Sequence, residues 1–124
     1  VVLINLMELD KDIDYLEDGR VKVGCSVRVQ TLIRDLQKHD FGGIEYLFSV
    51  PTSLGGAVYM NAGRGKEIGL AISDYLEEVE YYSPKENKFL KYIKKDGDFT
   101  YRHSPFQDMD AIILSTIFIF FHLS

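Results

Sequence analysis

Two stretches of this chain combine residue types and spacings that could do chemistry: Val50 to Gly63 and Thr100 to Gln107. The first, V-P-T-S-L-G-G-A-V-Y-M-N-A-G, joins a proline turn, a hydroxyl pair and a glycine pair to a short apolar segment ending in Asn-Ala-Gly. Gly55 and Gly56 carry no Cβ, so the backbone there can approach a bulky ligand closely. Thr52 or Ser53 can cap the helix that follows, which leaves orphan N–H groups aimed outward. Such an end attracts phosphate through its donors and its dipole. The segment therefore reads as a diphosphate cradle, with a capped, glycine-containing buried helix as the alternative.

In the second stretch the reactive side chain is Arg102. It follows Gly97-Asp98-Phe99 in an expected loop and is flanked by Tyr101 and Ser104. A guanidinium stays charged and presents a planar fork of donors, suited to a carboxylate or a developing enolate. The alternative is a surface arginine paired with Asp98 or Asp108. Other chemistries find no motif: the chain has no G-x-S-x-G elbow, no H-E-x-x-H and no Walker loop. His39, His103 and His122 are scattered without metal-ligand spacing, so no metal site is expected. Glu77 and Glu78 fall on an expected strand and should point to opposite faces as solvated charges. Lys91, Lys94 and Lys95 read as an exposed edge guarded against strand pairing.

The elements that must position these residues follow an α+β pattern without repeats or low-complexity linkers. Val1 to Leu6 reads as a strand. Ile13–Leu16 and Arg20–Gly24 read as a hairpin turning at Glu17-Asp18-Gly19. Val29, Leu32, Ile33 and Leu36 recur at i, i+3, i+4 and i+7, the apolar stripe of a helix ending near His39. Asp40 to Gly43 breaks it, and Ile44 to Leu47 forms a short helical turn. Tyr75–Tyr82 and Phe89–Ile93 pair across Pro84-Lys85-Glu86-Asn87. The expected fold is a mixed, largely antiparallel sheet with flanking helices, most of them before Gly63.

The apolar run Ala111 to Phe121 is too short to span a bilayer as a helix. Its β-branched and aromatic content marks a buried strand. Phe118 to Ser124 is an aggregation hazard if left uncovered. With 124 residues, 46% hydrophobic and 27% charged, the chain is of a size for one domain with a core that needs no staples. A net charge of −5 without a basic patch argues against a nucleic-acid partner. The single Cys25 excludes an intrachain disulfide framework and reads as a buried structural thiol. No secretory signal opens the sequence, so a cytoplasmic location is expected and no membrane partner. The opening on Val1 reads as a cut-out piece.

Four ordered motifs resemble the flavin domain of the UDP-N-acetylenolpyruvoylglucosamine reductase family. They are Gly43-Ile44-Glu45-Tyr46-Leu47, the run Val50 to Gly63, Tyr101-Arg102-His103-Ser104-Pro105-Phe106, and Ile112 to Phe118. The resemblance covers nearly the whole chain and identifies it as the second lobe of an FAD-binding domain of the PCMH type, over residues 1–124. It implies an enzyme that reduces UDP-N-acetylenolpyruvoylglucosamine to UDP-N-acetylmuramate for peptidoglycan, with FAD as cofactor and NADPH as hydride donor. By this resemblance Pro51, Thr52, Ser53, Gly55 and Gly56 line the diphosphate. Asn61, Ala62 and Gly63 lie near the ribityl chain or ring, and Ile112 to Leu114, centred on Ile113, run past the ring system. Arg102 stabilises the enol form of the substrate, with Tyr101 and Ser104 beside it on the substrate side. A serine or cysteine and a glutamate outside this lobe complete protonation.

Three departures bear on these implications. The family's glycine after the proline is Thr52 here. An apparent insertion, Gly69 to Ile72, follows Arg64-Gly65-Lys66-Glu67-Ile68. The family's first flavin lobe should precede Val1 and its substrate-closing domain should follow Leu123, so the piece alone is expected to bind FAD weakly and turn nothing over. Two alternatives follow: a non-catalytic remnant of such a domain, or another FAD-dependent oxidoreductase of the same superfamily.

Overall fold

A computed structural model describes residues 12–48, 52–64, 70–95, 97–100, 102–109 and 111–122. The strand expected over Val1 to Leu6, together with Pro51 and Tyr101, lies outside the described residues. The strands are β1 (Ile13–Tyr15), β2 (Arg20–Gly24), β3 (Phe41–Gly42), β4 (Gly63–Arg64), β5 (Leu70–Ala71), β6 (Leu76–Ser83), β7 (Lys88–Ile93), β8 (Ile112–Ile119) and β9 (Phe121–His122). The helices are α1 (Val29–Lys38), α2 (Leu54–Tyr59) and α3 (Pro105–Met109), with 3-10 turns at Glu45–Leu47 and Ile72–Tyr75.

The main sheet has the order β1-β2-β8-β6-β7. Every ladder between the described strands is antiparallel, so the antiparallel character expected of the sheet is complete there. The apolar run at the end of the chain supplies β8, which sits at the centre. Val23 pairs with Thr116 on one side of it, and Val79 on the other. Both hairpins form where turn residues allow. Asp18 and Gly19 have φ of 60° and 78°, the pair of positive values that a tight two-residue hairpin turn uses. Asn87, with φ 52°, closes the β6–β7 turn.

One side of the sheet faces the core. Val21, Val23, Val79 and Phe118 are fully buried there and Thr116 nearly so. The α1 stripe of Val29, Leu32, Ile33 and Leu36 is buried as its spacing requires. Phe106 of α3 is fully buried among Tyr81, Tyr92 and Phe99, with ring centroids 5.6, 5.3 and 6.2 Å away. Burying such a ring contributes roughly 2–3 kcal/mol. The strand alternation of β6 departs from expectation at one point. A bulge between Leu76 and Glu78 breaks the period of two, so Glu77 and Glu78 are not simply sent to opposite faces. Glu77 pairs with Arg20 at 2.7 Å and Glu78 with Lys91 at 3.8 Å.

The hazard expected at the end of the apolar run is partly relieved. Phe118 and Phe120 are buried with stacked rings, and Phe121–His122 pair with Phe41–Gly42, while Ile119 and Phe121 remain exposed. No helix among the described residues is long and apolar enough to cross a membrane. No group of three His, Cys, Asp or Glu side chains among them could hold a metal ion.

Candidate functional site

The glycine-containing segment forms α2 as a short helix capped by Ser53, whose Oγ accepts the N–H of Gly56 at 3.3 Å. Leu54, Ala57 and Val58 point inward. The expected outward orphan amides are not there. Leu54 donates to the Val27 carbonyl at 2.7 Å, Gly55 to the Cys25 carbonyl at 3.1 Å, and Ala57 to the Ser53 carbonyl at 2.9 Å. The start of α2 is thus sewn to the loop after β2, and its first-turn donors are satisfied within the chain.

A side chain at either glycine would meet a close neighbour. A Cβ on Gly55 would lie 3.2 Å from the Cβ of Cys25 and 3.4 Å from its carbonyl oxygen. One on Gly56 would lie 2.7 Å from the Thr52 hydroxyl. Absence of a side chain at Gly55 therefore lets α2 sit close against the end of β2, where Cys25 is buried as expected. Thr52 is not among the non-glycine residues with positive φ, so the threonine in the family's glycine position carries no left-handed strain.

The other end of α2 is where the two motifs meet. Asn61 has φ 49° and follows the helix as a left-handed cap. The N–H of Asn61 goes to the Val58 carbonyl and that of Ala62 to the Ala57 carbonyl, the paired bonds of a Schellman motif. Asn61 is 4% exposed, and both ends of its amide are engaged. Its Nδ2 donates to the Thr100 carbonyl at 2.7 Å, and its Oδ1 accepts the Ser73 N–H at 3.4 Å. The Tyr59 carbonyl, orphaned at the helix end, accepts from the Ser104 hydroxyl at 2.5 Å and from Gln107 Nε2 at 2.9 Å.

These bonds hold a tight turn. Thr100 and His103 exchange both backbone hydrogen bonds, at 3.1 and 3.0 Å. Between them Arg102 is exposed, with φ 55°. A left-handed conformation in a residue with a Cβ costs about 1–2 kcal/mol and persists only where neighbours over-determine it. His103 Nε2 lies 3.2 Å from Asp108 Oδ2 at the far end of α3. On the neighbouring turn, Asp98 accepts the Tyr92 hydroxyl.

The residues expected at a site thus divide by exposure. Thr52, Ser53, Gly55, Gly56 and Gly63 are half-buried and Arg102 is exposed, whereas Asn61, Ala62, Ser104 and Ile113 are buried. Gln107 was legible as part of the second motif but carries no sequence signal for its bonds. The carbonyl partners of the first α2 amides, Cys25 and Val27, lie some distance upstream in sequence and had no signal either. Around the 3-10 turn Glu45–Leu47, the Tyr46 hydroxyl is buried without a hydrogen-bond partner among the described residues. Burial, then the charges of Asp74, Tyr75 and Glu45, hold its pKa well above the usual tyrosine value.

No family model matches the chain. It is 32% identical over 101 residues to the UDP-N-acetylenolpyruvoylglucosamine reductase of Borrelia garinii subsp. bavariensis, covering 82% of this chain and 32% of that protein. It is 34% identical over 114 residues to the reductase of the same name from Fusobacterium nucleatum subsp. nucleatum, covering 89% and 39%. The fold matches the crystal structure of UDP-N-acetylenolpyruvylglucosamine reductase from Thermus caldophilus with a TM-score of 0.72 at 27% identity, over 90% of this chain and 39% of that one. The antiparallel sheet and its few helices define a small α+β fold of the kind found in that reductase. The chain belongs to the UDP-N-acetylenolpyruvoylglucosamine reductase family. It spans about a third of the length of the curated relatives it matches.

Proposed function

We propose that residues 1–124 form the second lobe of the FAD-binding domain of a cytoplasmic reductase. That enzyme converts UDP-N-acetylenolpyruvoylglucosamine to UDP-N-acetylmuramate with NADPH. The observation that carries this reading is the docking of the Arg102 turn onto the end of α2, which joins the glycine motif and the arginine motif into one surface.

The chain's donors discriminate between parts of the cofactor. The first-turn amides of α2 are engaged internally, so a diphosphate finds no helix-end amide nest there. At the start of α2 the half-buried Thr52, Ser53, Gly55 and Gly56 are poor in Cβ atoms and carry two hydroxyls, which suits contact with a flat ring or a ribityl chain, and Gly63 is half-buried after the helix. We assign these residues, with Pro51, to the flavin on that basis. Asn61, Ala62 and Ile113 are buried, so any part they take in holding the flavin is through the residues around them. When bound, the flavin supplies hydride transfer from NADPH to the enolpyruvyl carbon. Arg102 presents a permanent cation to the enolpyruvyl carboxylate and to the charge that develops beside it, an electrostatic role of the oxyanion-hole type. Tyr101 contributes on the substrate side. Ser104, committed to the Tyr59 carbonyl, acts by holding the turn.

The engaged amides favour one second reading, a non-catalytic lobe that keeps the fold without the cofactor. Titration of the purified chain with FAD, followed by flavin fluorescence, separates the two. Saturable binding that survives Arg102→Ala supports the cofactor surface on α2 and leaves Arg102 to the substrate. No binding to the wild-type chain means that the family's first flavin lobe is essential for holding FAD, and leaves the second reading standing for the isolated lobe.

A further inference from the structure

The peptide unit between Arg102 and His103 is pinned at both of its polar ends. Its N–H, from His103, donates to the Thr100 carbonyl at 3.0 Å. Its carbonyl, from Arg102, accepts from Gln107 Nε2 at 3.2 Å. The same nitrogen donates to the Tyr59 carbonyl at 2.9 Å, beside the Ser104 hydroxyl. Only the NH2 end of the Gln107 amide can face two carbonyl oxygens, and it has one hydrogen for each. Met60 Sδ, at 3.8 Å, is a weaker third acceptor.

We infer that Gln107 is a positioning residue for Arg102. A left-handed residue with a Cβ tends to escape by rotating an adjacent peptide plane, here the plane that Gln107 and Thr100 hold. Gln107 ties that plane to the last turn of α2, so the side chain of Arg102 leaves the backbone from a point fixed relative to the glycine helix. Ser104 anchors the start of α3 to the same carbonyl. The role of Arg102 toward substrate rests on the function proposed above. The locking of its backbone does not.

Nuclear magnetic resonance of the isotope-labelled 124-residue chain tests this with three variants. Gln107→Glu keeps the shape but is acceptor-only at neutral pH, and Gln107→Met removes the donors without adding charge. Gln107→Lys restores donors on a different stem. The expected result for Glu and Met is at least about tenfold faster amide exchange at His103, with a changed HN–Hα coupling at Arg102. Amides of β2 and β8 should keep their protection. Lys should recover much of the wild-type behaviour, and Glu should recover part of it below about pH 4, where its carboxyl regains one donor. Unchanged exchange and coupling in folded Glu and Met variants would overturn the inference, and so would a loss of protection spread evenly over the sheet. If the Glu variant does not fold, Met and Lys carry the comparison. Flavin titration of the same proteins reads the proposed function separately, since failure of the wild-type chain to bind FAD leaves the backbone result standing.

Discussion

Asn61 offers the sharpest test of how the two motifs are joined, because replacing it removes three separable contributions. Asn61→Ala loses the bond to the Thr100 carbonyl, worth about 1 kcal/mol net because that oxygen keeps the His103 N–H. It also leaves the N–H of Ser73, a residue only 5% exposed, without the side-chain acceptor it uses. An orphaned buried donor costs about 1–3 kcal/mol, and the 3.4 Å length of the original bond puts this one at the low end. Holding alanine at φ 49° adds about 1 kcal/mol. The sum is about 3 kcal/mol. An unfolding entropy of roughly 2.1 cal/mol/K per residue makes each kcal/mol worth about 4 °C for a chain this size, so the melting temperature should fall by about 12 °C. Asn61→Gly loses the same two bonds without the conformational cost, and it should melt about 4 °C above the alanine variant. Thermal and urea unfolding followed by circular dichroism measure both differences. Glycine no better than alanine, or both within about 0.5 kcal/mol of wild type, would refute the bridge.

Three further outcomes follow from the same geometry. Tyr46→Phe removes a buried hydroxyl that has no partner among the described residues and should raise stability by about 1 kcal/mol, read as a higher urea midpoint; a lower midpoint would reveal a partner. Burial first, with the Asp35 and Asp98 bonds for two of them, holds the pKa values of Tyr15, Tyr46, Tyr75 and Tyr92 above the usual tyrosine value. The unfolded chain loses these protons first, so stability should be unaffected by them below about pH 10 and fall as pH rises further. Tyrosinate absorbance against pH should show a late-ionising group, and simultaneous ionisation of all eight tyrosines in the folded chain would contradict it. Gly55→Ala forces its Cβ against Cys25 and should cost about 1–2 kcal/mol in unfolding experiments despite alanine's better helix propensity.

The sheet and the first helix were legible because their signals are local. The α1 stripe from Val29 to Leu36 and the turn at Glu17-Asp18-Gly19 each specify an element by spacing alone. β8 was legible as a buried strand from the composition of its run. What sequence could not supply was the destination of polar groups. Ser53 was readable as a cap, but nothing near Leu54 and Gly55 announces that their amides bond to Val27 and Cys25. The glycine pair therefore suggested space for a ligand, when part of that space is filled by the chain itself. The bulge at Glu77 was invisible because alternation is counted along one strand, whereas a bulge is a mismatch between two. Ser104 and Gln107 were visible as motif letters, and only the fold shows that both meet the end of α2.

The central position of β8 has a kinetic consequence. The β1–β2 and β6–β7 hairpins are local and can form early, but among the described residues they touch the same sheet only through β8. The Thr116 hydroxyl meets the Val23 carbonyl across 93 positions of chain. Closing a loop of that length costs conformational entropy before any burial repays it, and topologies dominated by such distant pairings fold slowly. Until β8 docks, the inward valines of β2 and β6 stay in water, and the chain carries two hairpins with no shared core. A ribosome making this chain exposes that intermediate until the residues after Ala111 have emerged.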